Sequence, residues 1–172
     1  VITLSRILCA ILIYLILYLE NNYMIALFLF FIASFSDFLD GYLARKTNSV
    51  SVLGEILDPI ADKLLIVFVL IGLSINLDSF LIGFISAVII SREIWVAALR
   101  DINARNSQSD KTKVTFLAKT KTAIQMLSIL MYLLGLTINN MMVLFFADII
   151  LIIALLVTIH TGFQYTISTF KK

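Results

Sequence analysis

Six apolar runs dominate this sequence, and each is close to the length that a helix needs to cross about 30 Å of hydrocarbon. They cover residues 4–19, 23–39, 60–75, 80–99, 116–138 and 141–163. Backbone polar groups in lipid must be bonded internally, and the sequence lacks the alternating segments of a membrane barrel. With 61% hydrophobic residues and a mean hydropathy of +1.05, the composition excludes an ordinary soluble domain. The prediction is an all-α polytopic membrane protein with six transmembrane helices.

The basic residues lie on one side of this predicted topology. The first, third and fifth loops, at residues 20–22, 76–79 and 139–140, contain none of the 13 Lys and Arg residues. Cytoplasmic loops of membrane proteins carry an excess of Lys and Arg. We therefore predict that both termini and the second and fourth loops face the cytoplasm.

Four aspartates fall between residues 37 and 62 of this apolar chain: Asp37, Asp40, Asp58 and Asp62. Charged side chains at membrane depth are costly and usually functional. The spacings i, i+3 and i, i+4 place the two acids of each pair on one face of a helix. Like charges this close repel unless something positive lies between them, and hard divalent cations prefer oxygen ligands. The pattern predicts a divalent-metal site between two helix ends.

Such a site suits chemistry at phosphorus. Two divalent ions about 3.5–4 Å apart can hold the attacking and leaving oxygens of a displacement. Three carboxylates can hold the metals, the fourth can take a proton from a hydroxyl, and Arg45 can bind a phosphate through two N–H groups. Small residues nearby leave room for a ligand or for close helix packing: Gly41, Ala44 and Gly54. The alternative is a structural ion network of the acids with Arg45, Lys46 and Lys63.

Residues 37–62 match the pattern D-x2-D-G-x2-A-R-x8-G-x3-D-x3-D at every fixed position. This resembles the signature of the CDP-alcohol phosphotransferase family. The resemblance implies a six-helix membrane enzyme that uses Mg²⁺ or Mn²⁺, with two ions per active site, to transfer a phosphatidyl or related group from a CDP-linked donor to an alcohol. Residues 1–172 would form one integral-membrane catalytic domain, and we expect its N-terminus to be trimmed because the chain begins at Val1.

The resemblance also implies a role for each fixed residue of the motif. The metal ligands would be Asp37, Asp40, Asp58 and Asp62. The catalytic residue would be Asp62, acting as the general base. The CDP-binding residues would be Asp37, Asp40, Gly41, Ala44, Arg45, Gly54 and Asp58.

A second group of basic residues bears on the alcohol. Arg92 lies within an apolar run, where an unpaired cation is costly, and Arg100 and Lys119 add positive charge that Glu93 alone does not offset. A phosphate on the acceptor would supply the missing anion. Alternatively, Arg92 pairs with an aspartate of the cluster, and the loop cations contact anionic lipid headgroups.

The acceptor residues, together with residues 2–6 (ITLSR), resemble the phosphatidylglycerophosphate synthase branch of the family. The resemblance implies transfer of the phosphatidyl group of CDP-diacylglycerol to sn-glycerol 3-phosphate, giving phosphatidylglycerophosphate and CMP. It implies a bacterial plasma (inner) membrane, contact with membrane lipids, no nucleic acid, and the homodimer that family members often form.

Two alternatives stay open. One is a family member whose acceptor is serine, inositol phosphate or phosphatidylglycerol. The other is a divalent-cation transporter with buried acids. Two further polar residues in the last apolar run, Asp148 and His160, are interpreted as an interhelical hydrogen-bonding residue and a packed or hydrogen-bonded core residue.

Overall fold

The computed structural model describes the backbone of residues 2–47, 52–106 and 116–171, and the side chains of residues 4–36, 57, 59–106 and 120–171. These residues form six helices and no strand. They are α1 (Ile2–Leu19), α2 (Tyr23–Thr47), α3 (Val52–Asn76), α4 (Phe80–Arg105), α5 (Phe116–Thr137) and α6 (Met141–Phe170). The predicted all-α fold with six helices is confirmed.

The lengths and compositions of the helices fit a multi-pass membrane protein. Four of them, α3 to α6, contain described stretches that are long and apolar enough to cross a bilayer. The corresponding apolar parts of α1 and α2 are shorter, at Leu4–Leu19 and Tyr23–Ser36. Helix α2 continues past its apolar run to Thr47, and α3 begins at Val52, before its own run. Both aspartate pairs of the motif therefore lie within helices.

Tight turns join the helices into three hairpins. Each turn contains one residue with a left-handed backbone, at Asn21 (φ 53°), Asp78 (φ 47°) and Asn139 (φ 51°). Asn and Asp adopt this conformation at less cost than most residues. The residue that follows caps the next helix by accepting a hydrogen bond from a backbone N–H of its first turn, as at Asn22, Ser79 and Asn140.

The three turns lie at the same end of the bundle. Helices α1 and α3 are parallel, because Arg6 contacts Asp62 while the Leu17 carbonyl accepts from Asn76. Helices α4 and α6 are also parallel, since contacts advance together along both from Arg92 and Thr161 to Asn103 and Thr169. We call the end of the bundle that contains the three turns the turn end. The opposite end, where the aspartate motif lies, is called the motif end.

A continuous apolar core fills the turn half of the bundle. Helices α1, α2, α3 and α5 meet there, α4 packs on α3 and α6, and α6 packs on α5. Fully buried side chains in this core include Ile13, Leu17, Leu70, Leu133 and Leu151. Large apolar side chains cover the outer surface, with Phe80, Met141 and Phe163 at least 65% exposed. Such a surface is suited to lipid.

Candidate active site

The residues of the aspartate motif lie on two helices that both pack against α1. Asp37, Asp40, Gly41, Ala44 and Arg45 are in α2, and Gly54, Asp58 and Asp62 are in α3. The helical placement expected from their spacing is therefore observed. Of this group, only the side chain of Asp62 is among the described ones. Predictions for the other side chains of the motif, and for Lys119 in α5, fall outside the described residues.

Asp62 has an arginine partner from the first helix. The Nη1 atom of Arg6 donates to Oδ1 of Asp62 at 2.7 Å, and the Arg6 side chain is 0% exposed. The Asp62 side chain is 26% exposed, so its carboxylate is oriented by the pair without being sealed off. A buried guanidinium is costly without a paired anion, so this ion pair holds α1 and α3 together at the level of Asp62.

The donor set of the motif fits hard divalent ions, because Asp37, Asp40, Asp58 and Asp62 offer carboxylate oxygens. Among the described side chains, no group of three or more acids, histidines or cysteines lies close enough to hold a metal. Asp62 is the one described contributor. The metal assignment therefore stays a prediction that rests on the motif and on the placement of its residues in α2 and α3.

A second charged cluster surrounds Glu93 on α4. Its carboxylate accepts from Arg92 at 3.0 Å, pairs with Lys63 of α3 at 3.3 Å and accepts from Lys121 of α5. The side chains of Arg92, Glu93 and Lys121 are at most 15% exposed. One carboxylate thus contacts three cations from three helices, so the described side chains of this cluster carry more positive than negative charge.

Arg92 and Arg100 converge on one aromatic ring of α6. The guanidinium carbon of Arg92 lies 5.7 Å from the centroid of the Tyr165 ring, and that of Arg100 lies 5.5 Å from it. Thr161 of the same helix accepts from Nη2 of Arg92 at 2.9 Å. The Nε atoms of both arginines are buried and have no hydrogen-bond partner within the part of the chain that the structure describes.

The partners of the cations differ from two interpretations made from the sequence. The alternative in which Arg92 pairs with a motif aspartate finds no support among the described side chains, where its anionic partner is Glu93. Lys63, named in the alternative ion network, also pairs with Glu93. The predicted interhelical role of Asp148 is confirmed, because Tyr132 of α5 donates to it. The interpretation of His160 as a core residue is wrong: it is exposed and contacts Gln164 of its own helix.

An apolar groove of about 400 Å³ opens between α2 and α5. Aromatic and aliphatic side chains of both helices line it, among them Phe30, Phe35, Met126 and Leu130. Phe35 lies two residues before Asp37, so the groove ends next to the aspartate motif. Its shape and lining suit a hydrocarbon chain.

Sequence reasoning missed two residues of this site, Arg6 as the partner of Asp62 and Tyr165 as the support of both arginines. Arg6 carried a signal, since it is a cation within an apolar run. On α6, a periodic stripe of polar and small residues in the most apolar helix was the available signal: Thr158, Thr161, Gly162 and Tyr165 are all buried. Their spacing of i, i+3, i+4 and i+7 is that of one helix face.

Comparison with known proteins identifies the family of this chain. Residues 1–160 match the family described as CDP-alcohol phosphatidyltransferase. The chain belongs to this family. Its family resemblance from the motif is thereby confirmed, and the match includes the aspartate motif, the Glu93 cluster and both arginines.

Several relatives carry the name CDP-diacylglycerol–glycerol-3-phosphate 3-phosphatidyltransferase. One from Rickettsia bellii is 43% identical over 143 residues, which cover 83% of this chain and 77% of the relative. One from Haemophilus influenzae is 39% identical, covering 86% of this chain and 78% of the relative. One from Rickettsia felis is 39% identical over 168 residues, covering 95% and 90%. Enzymes of this family generally depend on divalent cations, so this chain is a membrane-bound enzyme of that kind.

Proposed function

We propose that this protein transfers the phosphatidyl group of CDP-diacylglycerol to sn-glycerol 3-phosphate, giving phosphatidylglycerophosphate and CMP. The observation that carries the proposal is the convergence of Arg92 and Arg100 on Tyr165, with both Nε–H groups unused by described residues. Two guanidinium groups at one place are matched to a dianionic phosphate. Serine, which bears no phosphate, would leave that charge without a partner.

The donor would bind across α2 and α3. Asp37, Asp40, Asp58 and Asp62 would hold two Mg²⁺ or Mn²⁺ ions, which neutralise charge on the diphosphate when bound. Gly41, Ala44, Gly54 and Arg45 would contact the CDP group, as the motif implies. An acyl chain of the donor would lie in the groove between α2 and α5, whose end is next to Asp37. The nucleotide and the lipid tails would thus be held on opposite sides of the reacting phosphorus.

The acceptor would bind from the motif end. Its phosphate would contact Arg92, Arg100 and Lys119, leaving the 1-hydroxyl directed towards Asp62. Asp62 takes the hydroxyl proton as the oxygen forms a bond to the phosphorus that bears the diacylglycerol. The bond from that phosphorus to the bridging diphosphate oxygen breaks, and CMP leaves with the electron pair. Arg6 holds the carboxylate of Asp62 in place during this step.

The distribution of positive charge indicates which side of the membrane the proposed active site faces. All 13 Lys and Arg residues lie away from the three turns, and Asp62, Arg92 and Lys121 are about 18 Å or more from the turn end at 1.5 Å per residue. The proposed active site therefore faces the cytoplasmic side of a bacterial plasma membrane, where a soluble phosphorylated acceptor can reach it.

The test is CMP release from CDP-diacylglycerol by the purified protein in detergent, with Mg²⁺ or Mn²⁺ and with each acceptor in turn. We expect release that requires both metal and glycerol 3-phosphate and that stops when the metal is chelated. Release supported only by serine, an inositol phosphate or phosphatidylglycerol would retain the family and overturn the acceptor. Release with metal and no acceptor would indicate hydrolysis of the donor in place of transfer.

A further inference from the structure

The last helix presents a buried polar face to α4 that the transfer reaction itself does not explain. Thr161, Gly162 and Tyr165 are all buried on this face, and Tyr165 is 3% exposed. They lie in the most apolar helix of the chain, where burial of polar groups is costly unless they are used. Each of the three residues contacts an arginine of α4, so this face of α6 packs against the two arginine side chains.

The contacts with Arg92 are close and specific. Thr161 accepts from its Nη2 atom at 2.9 Å and donates its own hydroxyl to the carbonyl of Val157 at 2.8 Å. A Cβ atom at Gly162 would lie 3.1 Å from Cγ of Arg92 and 3.5 Å from its Nε atom, so the glycine makes room for the arginine side chain. The path of Arg92 across α6 is therefore fixed at both the stem and the guanidinium.

Tyr165 brings the second arginine to the same place. Arg92 and Arg100 are eight residues apart on α4, which separates them by about 80° around the helix and about 12 Å along it. Their positive charges repel, yet both guanidinium carbons lie within 6 Å of the centroid of one ring. The negative face of an aromatic ring attracts a cation most strongly when both are removed from water. The ring offsets the repulsion and, unlike a carboxylate, does not compete for the N–H groups.

We propose that Tyr165 is a positioning residue whose ring holds Arg92 and Arg100 together so that both can bind the phosphate of the acceptor. This inference rests on the proposed function, since glycerol 3-phosphate is the anion that the pair would bind. Without the ring, the long side chain of Arg100 can turn towards lipid headgroups at the membrane surface, while Arg92 stays held by Glu93 and Thr161. The pair would then have to be reassembled with each binding event, which weakens acceptor binding and leaves donor binding intact.

The experiment compares steady-state kinetics of Tyr165→Leu, Tyr165→Phe and the wild type, with glycerol 3-phosphate and CDP-diacylglycerol varied separately. For Tyr165→Leu we expect the KM for glycerol 3-phosphate to rise about tenfold, the scale of a desolvated cation–π contact, with the KM for donor within about twofold. Tyr165→Phe keeps the ring and should stay close to the wild type. Tyr165→Met serves as the ring-free variant if the leucine variant does not fold.

Val96→Ala is the matched control. Val96 packs in the same small cluster as Tyr165 and Leu99, and it lies on α4 midway between the two arginines. Its truncation loosens the packing without removing the ring, so the KM for glycerol 3-phosphate should be unchanged within about twofold. An equal rise in both KM values for Tyr165→Leu, or an equal rise for Val96→Ala, would show a merely structural role and overturn the inference.

Three further outcomes decide between the inference and the proposed function. A rise for Tyr165→Phe as large as for Tyr165→Leu would assign the effect to the hydroxyl and overturn the role of the ring. A wild-type protein that ignores glycerol 3-phosphate would overturn the proposed function itself. Wild-type dependence on glycerol 3-phosphate with normal kinetics in Tyr165→Leu would overturn only the role of Tyr165.

Discussion

The pairing of Arg6 with Asp62 joins two requirements at a single carboxylate. A guanidinium with 0% exposure needs an anion, and a general base needs contact with its substrate. As the proposed base, Asp62 would meet both, because its side chain is 26% exposed while one of its oxygens accepts from Arg6. The arginine also limits the rotation of the carboxylate. A base needs the same orientation in every turnover, and the ion pair maintains it.

Replacing Asp62 by Asn separates these two roles. Asn keeps a side-chain oxygen that can accept from Arg6, but the buried guanidinium loses its anion, so we expect a folded protein with a lower melting temperature. Asn cannot take a proton at neutral pH. We expect CMP release to fall at least about 100-fold, while binding of CDP-diacylglycerol is largely retained. Timed assays of CMP release measure the first effect, and equilibrium binding of CDP-diacylglycerol measures the second.

Asp78→Asn is the control for this substitution, because it makes the same chemical change at an exposed turn at the far end of the bundle. Asn tolerates the left-handed backbone of that position, so activity should be normal. Full activity of Asp62→Asn in a folded protein would remove the assignment of Asp62 as the base.

At the scale of elements, Glu93 ties three helices together near the site. Its carboxylate contacts Lys63 on α3 and Lys121 on α5, as well as Arg92 on its own helix. Lys63 is 43% exposed, so its pair contributes little, whereas Lys121 and Arg92 are almost buried. The cluster therefore fixes the position of α5, and with it the first turn that contains Lys119.

Glu93→Gln should lower the melting temperature of the detergent-solubilised protein by about 5 °C or more, since removing one charge of a buried cluster leaves the other charges uncompensated. Asp101→Asn breaks an exposed i, i+4 pair with Arg105 on the same helix, and we expect a change of at most about 1 °C. Thermal unfolding followed by tryptophan fluorescence compares the two. Equal melting temperatures for both variants would contradict a stabilising role of Glu93.

The helices themselves could be predicted from sequence, because the need to satisfy backbone groups in lipid leaves few alternatives. Each observed helix contains nearly all of its apolar run, and the differences occur where polar turns extend the helix, as in α2 to Thr47. The partners across helices could not be predicted. Periodicity fixes which residues share a face but not which helix lies opposite, so Tyr165 under Arg92 and Arg6 beside Asp62 required the packed bundle.

For the whole molecule, the separation of turn end and motif end predicts a topology that labelling can test. In a Cys9→Ala background, we expect Glu20→Cys to react with a membrane-impermeant thiol reagent added to intact cells. Lys171→Cys should react only after the membrane is permeabilised. Both positions are exposed, so a difference in labelling reports the side of the membrane. The reverse pattern would place the proposed active site outside the cytoplasm, away from a soluble acceptor.

The turns that close the three hairpins have a practical consequence. Asn76 donates to Asn21 and to the Leu17 carbonyl and accepts from Tyr23 at 3.1 Å, so even the polar groups between the first two hairpins are engaged with one another. Very little backbone at that end stands clear of the bundle. Antibodies, proteases and hydrophilic inhibitors therefore have little exposed loop to bind at the turn end. A compound designed against this protein would have to reach it through the lipid or from the opposite side of the membrane.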